Sequence, residues 1–327
     1  MLRDNDPISL LFIMAIAQKL YRKAFHLSFD LHRALNLFLL NQRPLPRVIQ
    51  WVIQWFIHPS LQPTQAKLAP LALSDRAIVN ALQTDGAYVT SLATLNLPDT
   101  DCFWSSAQAI AHALSDSQAN SNSLRGGFRV EASANQLLNH PALIRWGVGD
   151  RLLSVVEDYL QEPAALCSVI VRRDMANGLM RGTRLWHRDI EDRRMCKVIV
   201  YLNAVSEKNG PFAYLSRQTT DRCRMLKARY GYLRDRIMQS YLASFEDHLC
   251  VGAEGTVIFC DTAATFHRGV VPVEGDRLAV FFTYVTHHPR SPWKCKLPFQ
   301  LQSLVDRVGP LTTRQQNALF GIGKSSW

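Results

Sequence analysis

Two short strings in this 327-residue chain carry the residue types that hold a redox metal. Trp186-His187-Arg188-Asp189 ends a glycine-containing loop just before a strand-like run. Residues two apart in extended backbone point the same way, so His187 and Asp189 can aim an imidazole and a carboxylate at one point. Phe266-His267-Arg268-Gly269 follows the strand-like run Gly255 to Phe259. Two imidazoles and one carboxylate make the facial triad of non-haem Fe(II) oxygenases, which leaves three metal positions open for a co-substrate and oxygen. Ten residues after His267, Arg277 opens the run Leu278 to Val285. A guanidinium there can grip a dicarboxylic acid bidentately, which a lysine point charge does less specifically. Ala279, Phe281 and Thr283 share its strand face and would line a dry slot for such an acid.

Other readings compete. A lone His-x-Asp also occurs in surface turns, and it is His267 and Arg277 in the right order that turn it toward metal binding. His-Arg-Asp is found in protein kinases too, but these need an asparagine five residues after the aspartate. Arg194 stands there, and neither Asp-Phe-Gly nor a glycine-rich phosphate loop is present. Gly323-Lys324-Ser325 mimics a phosphate loop, yet Ala318 replaces its first glycine. Lys197 and Tyr201 lie on one face of a strand and point either into the core, toward the acid, or into water. His287-His288 reads as a surface pair at a strand end. Arg172-Arg173 and the group Arg222, Arg224, Lys227, Arg229, Arg234 and Arg236 suit an anionic ligand or nucleic acid, with a solvated helix face the commoner explanation.

Positioning these side chains falls to strand signals at Cys167–Val171, Met195–Leu202, Gly255–Phe259 and Leu278–Val285. Upstream, Ser74-Asp75 reads as the N-cap of a short helix ending at Asp85-Gly86, Tyr88-Val89-Thr90 starts a first strand, and Leu137 to Leu160 has helical periodicity. Ser115 to Ser123 is almost wholly polar and reads as a mobile loop, and Thr220 to Phe245 as an arginine-rich helical insert. Residues 8–60 read as helices punctuated by prolines. Their strip Trp51, Val52, Trp55 and Phe56 suits a helix docked on the core better than a membrane anchor. With no internal repeat, helices flanking a mainly antiparallel β core are the expected class.

A composition of 47% hydrophobic and 20% charged residues is that of a soluble globular protein, which excludes collagen, a wholly disordered chain and a coiled-coil rod. The 37 Lys+Arg against 27 Asp+Glu give a formal charge of +10, which attracts anions without choosing among nucleic acid, a membrane surface and a small substrate. Seven scattered cysteines without a Cys-x-x-Cys pair point to a reduced, cytoplasmic chain. The apolar run Ile8 to Ala17 is about half of the ~20 residues that cross a bilayer. Asp4 and Asp6 ahead of it argue against a signal peptide.

The ordered series His187-Arg188-Asp189, Val200-Tyr201-Leu202-Asn203-Ala204-Val205, Asn209-Gly210-Pro211-Phe212, Gly255-Thr256-Val257-Ile258-Phe259, His267-Arg268-Gly269 and Arg277 resembles the phytanoyl-CoA dioxygenase family. The resemblance covers about residues 74–290, including the opening Asp85-Gly86-Ala87-Tyr88-Val89. It implies a double-stranded β-helix, or jelly roll, flanked by helices, with Fe(II) on His187, Asp189 and His267. It also implies O2 as oxidant and 2-oxoglutarate as co-substrate, with Arg277 on the distal carboxylate; Lys197, Tyr201 and Thr283, by their strand faces, are further candidates around it. Halogenases of similar kind replace the carboxylate ligand with a small residue. Asp189 therefore favours hydroxylation of an unactivated C–H, with succinate and CO2 as co-products, although desaturation, epimerisation or ring closure would need the same residues. Where family members carry a Pro-Gly-Ser-His turn, this chain has Tyr214-Leu215-Ser216-Arg217, a departure expected to touch the substrate side.

The expected organisation is a basic N-terminal helical extension over 1–70, a jelly-roll oxygenase domain over 71–300 with its insert at about 220–245, and a C-terminal tail over 301–327. The expected partner is a small-molecule substrate, anionic or amphiphilic, with peripheral membrane contact left open. Nucleic acid is disfavoured because no nucleic-acid-binding motif accompanies the charge. The rival from another class is a catalytically silent jelly roll, a scaffold attached to a membrane or partner through its N-terminal helices.

Overall fold

Strand side chains alternate between two faces, and here both faces of the central strands are buried, so those strands read as nearly unbroken apolar runs. The computed structural model describes residues 68–116, 127–223, 231–241, 246–295, 297 and 301–322. The chain separates into two units, 1–64 and 65–327. The expected N-terminal helices with their aromatic strip, and most of the polar loop at 115–123, lie outside the described residues. Every described strand and helix belongs to the second unit.

The strands are β1 (Ala87–Ser91), β2 (Arg129–Glu131), β3 (Ala164–Asp174), β4 (Cys196–Tyr201), β5 (Phe212–Tyr214), β6 (His248–Cys250), β7 (Thr256–Cys260), β8 (His267–Gly269) and β9 (Arg277–Thr286). They form an antiparallel six-stranded sheet in the order β1-β7-β4-β9-β3-β2 and an antiparallel three-stranded sheet in the order β6-β5-β8. Val198, Val200, Val257, Phe259, Phe282 and Tyr284 join the core on the helical side of the large sheet. Their neighbours Ile199, Tyr201, Ile258, Ala279 and Phe281 meet Phe212, Tyr214 and Cys250 in a second core between the sheets. Two antiparallel sheets enclosing a core of their own make a jelly roll, the fold the sequence resemblance implies.

The helices are α1 (Arg76–Thr84), α2 (Leu92–Leu95), α3 (Thr100–Asp116), α4 (Ala134–Asn139), α5 (Ala142–Gly147), α6 (Asp150–Leu160), α7 (Arg217–Arg222), α8 (Asp235–Tyr241), α9 (Leu301–Val308) and α10 (Thr313–Phe320). Phe103 of α3 stacks on Trp146 of α5 with ring centroids 4.3 Å apart, and both meet Phe282 of β9. The stretch Leu137 to Leu160 is three helices rather than one, because Pro141 and Gly149 begin new ones. Asp75 does not cap α1. A 3-10 turn precedes the helix, and the buried carboxylate accepts from Arg151 Nε at 2.9 Å and Nη2 at 2.8 Å.

Within the expected tail, the described residues 301–322 hold two packed helices. Leu304, Val308, Ala318 and Leu319 sit in the helix-side core, and Arg314 Nη2 donates to Glu157 Oε2 at 2.6 Å. His287 is half-buried, not a surface residue: its Nε2 lies 3.2 Å from the Ala164 carbonyl oxygen. The insert's helix starts at Arg217, and Arg222, Arg234 and Arg236 are exposed, while Arg224, Lys227 and Arg229 lie outside the described residues.

Gly86 joins α1 to β1 at φ +99°, and a Cβ there would stand 2.3 Å from Thr265 Cγ2. Its carbonyl accepts from the Asp261 N–H at 2.9 Å. Gly86→Ala is expected to destabilise the protein by about 2–4 kcal/mol, from left-handed strain plus the clash, read as a lowered urea midpoint.

Candidate metal centre

His187 lies outside the named strands and His267 opens the three-residue β8, so neither is placed by a long strand of its own. A reciprocal backbone pair fixes them instead: His187 N–H donates to His267 C=O at 3.1 Å, and His267 N–H donates back at 2.9 Å. Asp189 N–H donates to Thr262 C=O at 2.9 Å. The two imidazole rings stand 4.3 Å apart between centroids. Asp189 Oδ1 is 3.9 Å from His187 Nε2, and Oδ2 is 3.7 Å from His267 Nε2. The three side chains offer ligand atoms that all lie within 4.8 Å of one another.

Protonation states follow from the neighbours. His187 Nδ1 is 2.8 Å from Leu185 C=O and His267 Nδ1 is 3.2 Å from Thr265 C=O. A carbonyl only accepts, so each Nδ1 carries the hydrogen and each Nε2 keeps its lone pair for a metal. Burial lowers both imidazole pKa values and keeps the rings neutral. Burial alone would raise the Asp189 pKa, but Lys197, helped by the two histidines, holds it well below the usual carboxylate range. Lys197 Nζ donates to Asp189 Oδ2 at 2.5 Å. Beside them the Glu191 carboxyl is raised, chiefly by burial and then by Asp189.

A cavity of about 270 Å3 joins this cluster to Arg277. Lys197, Thr283 and Phe281 line it, which settles the inward orientation of Lys197. Tyr201 also faces inward but does not line the cavity. Its hydroxyl donates to Cys250 C=O at 2.8 Å and accepts from Phe212 N–H at 2.9 Å, and it also interacts with the Arg277 side chain. Arg277 is 2% exposed. Its Nη2 donates to Asp174 Oδ2 at 2.7 Å, while buried Nε and Nη1 have no hydrogen-bond partner. Gly269 makes room for it: a Cβ there would stand 2.9 Å from Arg277 Nη2.

From sequence, Arg172 suited an anionic ligand or nucleic acid or, more commonly, a solvated face, and nothing marked Asp174. Both are buried, and Arg172 lines the cavity. The available signal was its place on the same strand face as Ser168 and Ile170, two further lining residues. Arg173, on the other face, pairs with Asp276. The lining holds Arg129, Arg172, Lys197, Arg268, Arg277 and Lys294 against Glu131, Asp189 and Glu191, so the cavity is basic.

The Tyr214-Leu215-Ser216-Arg217 segment lies behind the site. Arg217 Nη2 donates to Tyr159 Oη at 2.8 Å and to Asp261 Oδ2 at 3.1 Å, and Tyr159 donates to the same carboxylate. Asp261 Oδ1 accepts from the N–H groups of Ala263 at 3.0 Å and Ala264 at 3.1 Å. This network fixes the turn whose Thr262 carbonyl anchors Asp189, so the departure from the family pattern supports the site from its rear.

No family model matches the chain, and no curated protein is similar to it. Solved structures similar to it include EctD from S. alaskensis with 2-oxoglutarate and 5-hydroxyectoine, at 18% identity and a TM-score of 0.43 over 70% of this chain and 80% of that one. HygX from Streptomyces hygroscopicus, with nickel and 2-oxoglutarate bound, is similar at 16% identity and 0.43 over 66% and 88%. SnoN, a non-haem 2-oxoglutarate-dependent epimerase from nogalamycin biosynthesis, is similar at 13% and 0.45 over 74% and 97%. The likeness is one of fold.

Asp261→Ala is expected to cost about 3 kcal/mol of unfolding free energy, measured in urea, because it strands Arg217 and two N–H groups. Asp261→Asn should fall between this variant and the parent.

Proposed function

We propose that this protein is an Fe(II)- and 2-oxoglutarate-dependent oxygenase acting on a small molecule. The supporting observation is the meeting, in one cavity, of two imidazoles and a carboxylate with a buried arginine that keeps two nitrogens unpartnered. Two neutral nitrogen donors with one ionised oxygen donor fit a non-haem iron, and the unpartnered guanidinium nitrogens fit a carboxylate. Bound iron with 2-oxoglutarate supplies oxygen activation and the oxidising equivalent, with succinate and CO2 as co-products.

The chain's residues do the rest. His187 and His267 would hold the metal through Nε2 and Asp189 through its carboxylate. The Leu185 and Thr265 carbonyls keep both ring tautomers correct. Arg277 would hold the distal carboxylate of 2-oxoglutarate, Thr283 lines the slot, and Lys197 keeps Asp189 ionised. Ile170, Phe212 and Phe281 supply apolar walls that limit water. A carboxylate at position 189 leaves no opening for a halide, which favours hydroxylation over halogenation; epimerisation would use the same residues. The cavity of about 270 Å3 lies below the usual ~300–1,000 Å3 of ligand pockets, so a substrate sharing it is small or inserts one end. Its basic lining supports an anionic group on that substrate. Among the described residues no helix is long and apolar enough to cross a membrane. A cytoplasmic location and the 71–300 oxygenase domain remain part of this proposal.

Anaerobic reconstitution is expected to load one Fe(II), and His187→Ala or His267→Ala each to weaken its binding by more than about a hundredfold in equilibrium dialysis. Undiminished iron affinity in both variants would sink the triad. Candidate substrates are then screened for stimulated succinate formation, which Asp189→Gly should abolish. Full turnover in that variant would remove Asp189 from the ligand set.

A further inference from the structure

Arg277 does not stand alone at its end of the cavity. On β3, Arg172 pairs in register with Ala279, two residues from Arg277 along β9. Both arginines lean on one oxygen: Asp174 Oδ2 accepts from Arg277 Nη2 at 2.7 Å and from Arg172 Nε at 3.0 Å. Arg172 commits only Nε in this way. Its terminal fork, Nη1 and Nη2, has no protein partner among the described residues, although the side chain is only 10% exposed and its guanidinium carbon lies 4.3 Å from the Phe281 ring centroid. An intact fork is the geometry that takes a carboxylate bidentately.

Charge balance points the same way. Asp174 is hydrogen-bonded by two buried guanidiniums and also feels the charge of buried Arg184, so positive charge is in excess where an uncompensated ion is strongly unfavourable. The neighbouring cations are already occupied, the terminal nitrogens of Arg184 by neutral oxygens. Arg129 pairs with Glu131 at 2.9 Å, and the terminal nitrogens of Arg184 donate to Asn177 Oδ1 and to the carbonyls of Leu179, Phe128 and Met175. A bound anion offsets that excess. Because both guanidiniums reach the same aspartate oxygen, a single small anion can touch both. Resting on the proposed function, we infer that Arg172 is the second arm of the co-substrate clamp, holding the distal carboxylate of 2-oxoglutarate together with Arg277 while Asp174 sets the spacing between them.

Calorimetric titration of anaerobic Fe(II)-loaded protein tests this with two probes. 2-Oxoglutarate carries the distal carboxylate, and 2-oxobutyrate keeps the keto acid but lacks it. Arg172→Gln is expected to weaken 2-oxoglutarate about tenfold to a hundredfold while leaving 2-oxobutyrate unchanged, and Arg172→Lys to recover part of the loss. Retained 2-oxobutyrate binding shows that the variant is folded. Equal weakening of both probes would make Arg172 a structural residue and overturn the inference. So would unchanged 2-oxoglutarate affinity in Arg172→Gln beside a weakened Arg277→Gln; loss of substrate-stimulated turnover in that case would assign Arg172 to the substrate. If the parent itself does not distinguish the two acids, the co-substrate reading fails as a whole.

Discussion

The reciprocal hydrogen bonds between the backbones of His187 and His267 are what the remainder of the site depends on. Each histidine belongs to a short segment that could not hold its own position. A metal site needs its donors held to within about 0.5 Å. One antiparallel pair turns two weak segments into a single platform and fixes which face each imidazole takes, since a one-residue slip would turn a side chain to the opposite face. The third donor is secured by the same means, through Asp189 N–H on the Thr262 carbonyl. The turn carrying that carbonyl is in turn fastened by Asp261, Arg217 and Tyr159.

Once geometry is fixed, the charges follow from burial. Desolvation penalises every isolated ion, so each acid here stays ionised only by standing against a cation. Lys197 does this for Asp189, and Arg277 with Arg172 does it for Asp174, whose pKa is held low even though burial alone would raise it. The same burial keeps the imidazoles neutral, because Asp189 pulls their pKa values upward by less than desolvation and the Lys197 charge push them down. A charged carboxylate beside neutral imidazoles is the combination a metal ion requires of its ligands.

The parts of this arrangement that depend on local pattern were legible in the sequence. The runs that become β3, β4, β7 and β9 announce themselves by unbroken apolar residues, and the His-x-Asp spacing survives because extended backbone has a fixed period. Features that depend on a distant partner were not legible. Arg172 looks like surface charge because arginine is seldom buried, and it is Asp174, itself held by Arg277 from the neighbouring strand, that offsets the charge. Asp75 looks like a helix cap until Arg151 takes its carboxylate. The tail's Leu304 and Leu319 gain meaning only from the helix-side core they join. Lys197 and Tyr201 were ambiguous for a related reason: β4 is buried on both faces, so no polar side marks which way is in.

The insert segment that lines the cavity is tied to the neighbours of both histidines. Trp186 and Leu233 exchange backbone hydrogen bonds, and Asp235 Oδ1 accepts from Trp186 Nε1 at 2.8 Å and from Arg268 Nη1 at 2.6 Å. Trp186 and Arg268 are the chain neighbours of His187 and His267, and the Arg268 guanidinium lies 4.4 Å from the Trp186 ring centroid. One acidic residue of the insert thus braces the flank of both histidines. Tyr232 differs from these neighbours. It is 53% exposed, lines the cavity and places its ring 5.1 Å from that of His187. Leu233 and Asp235 carry the connection between this segment and the flanks of the two histidines. Tyr232, next to this brace, therefore presents its ring to both solvent and the cavity.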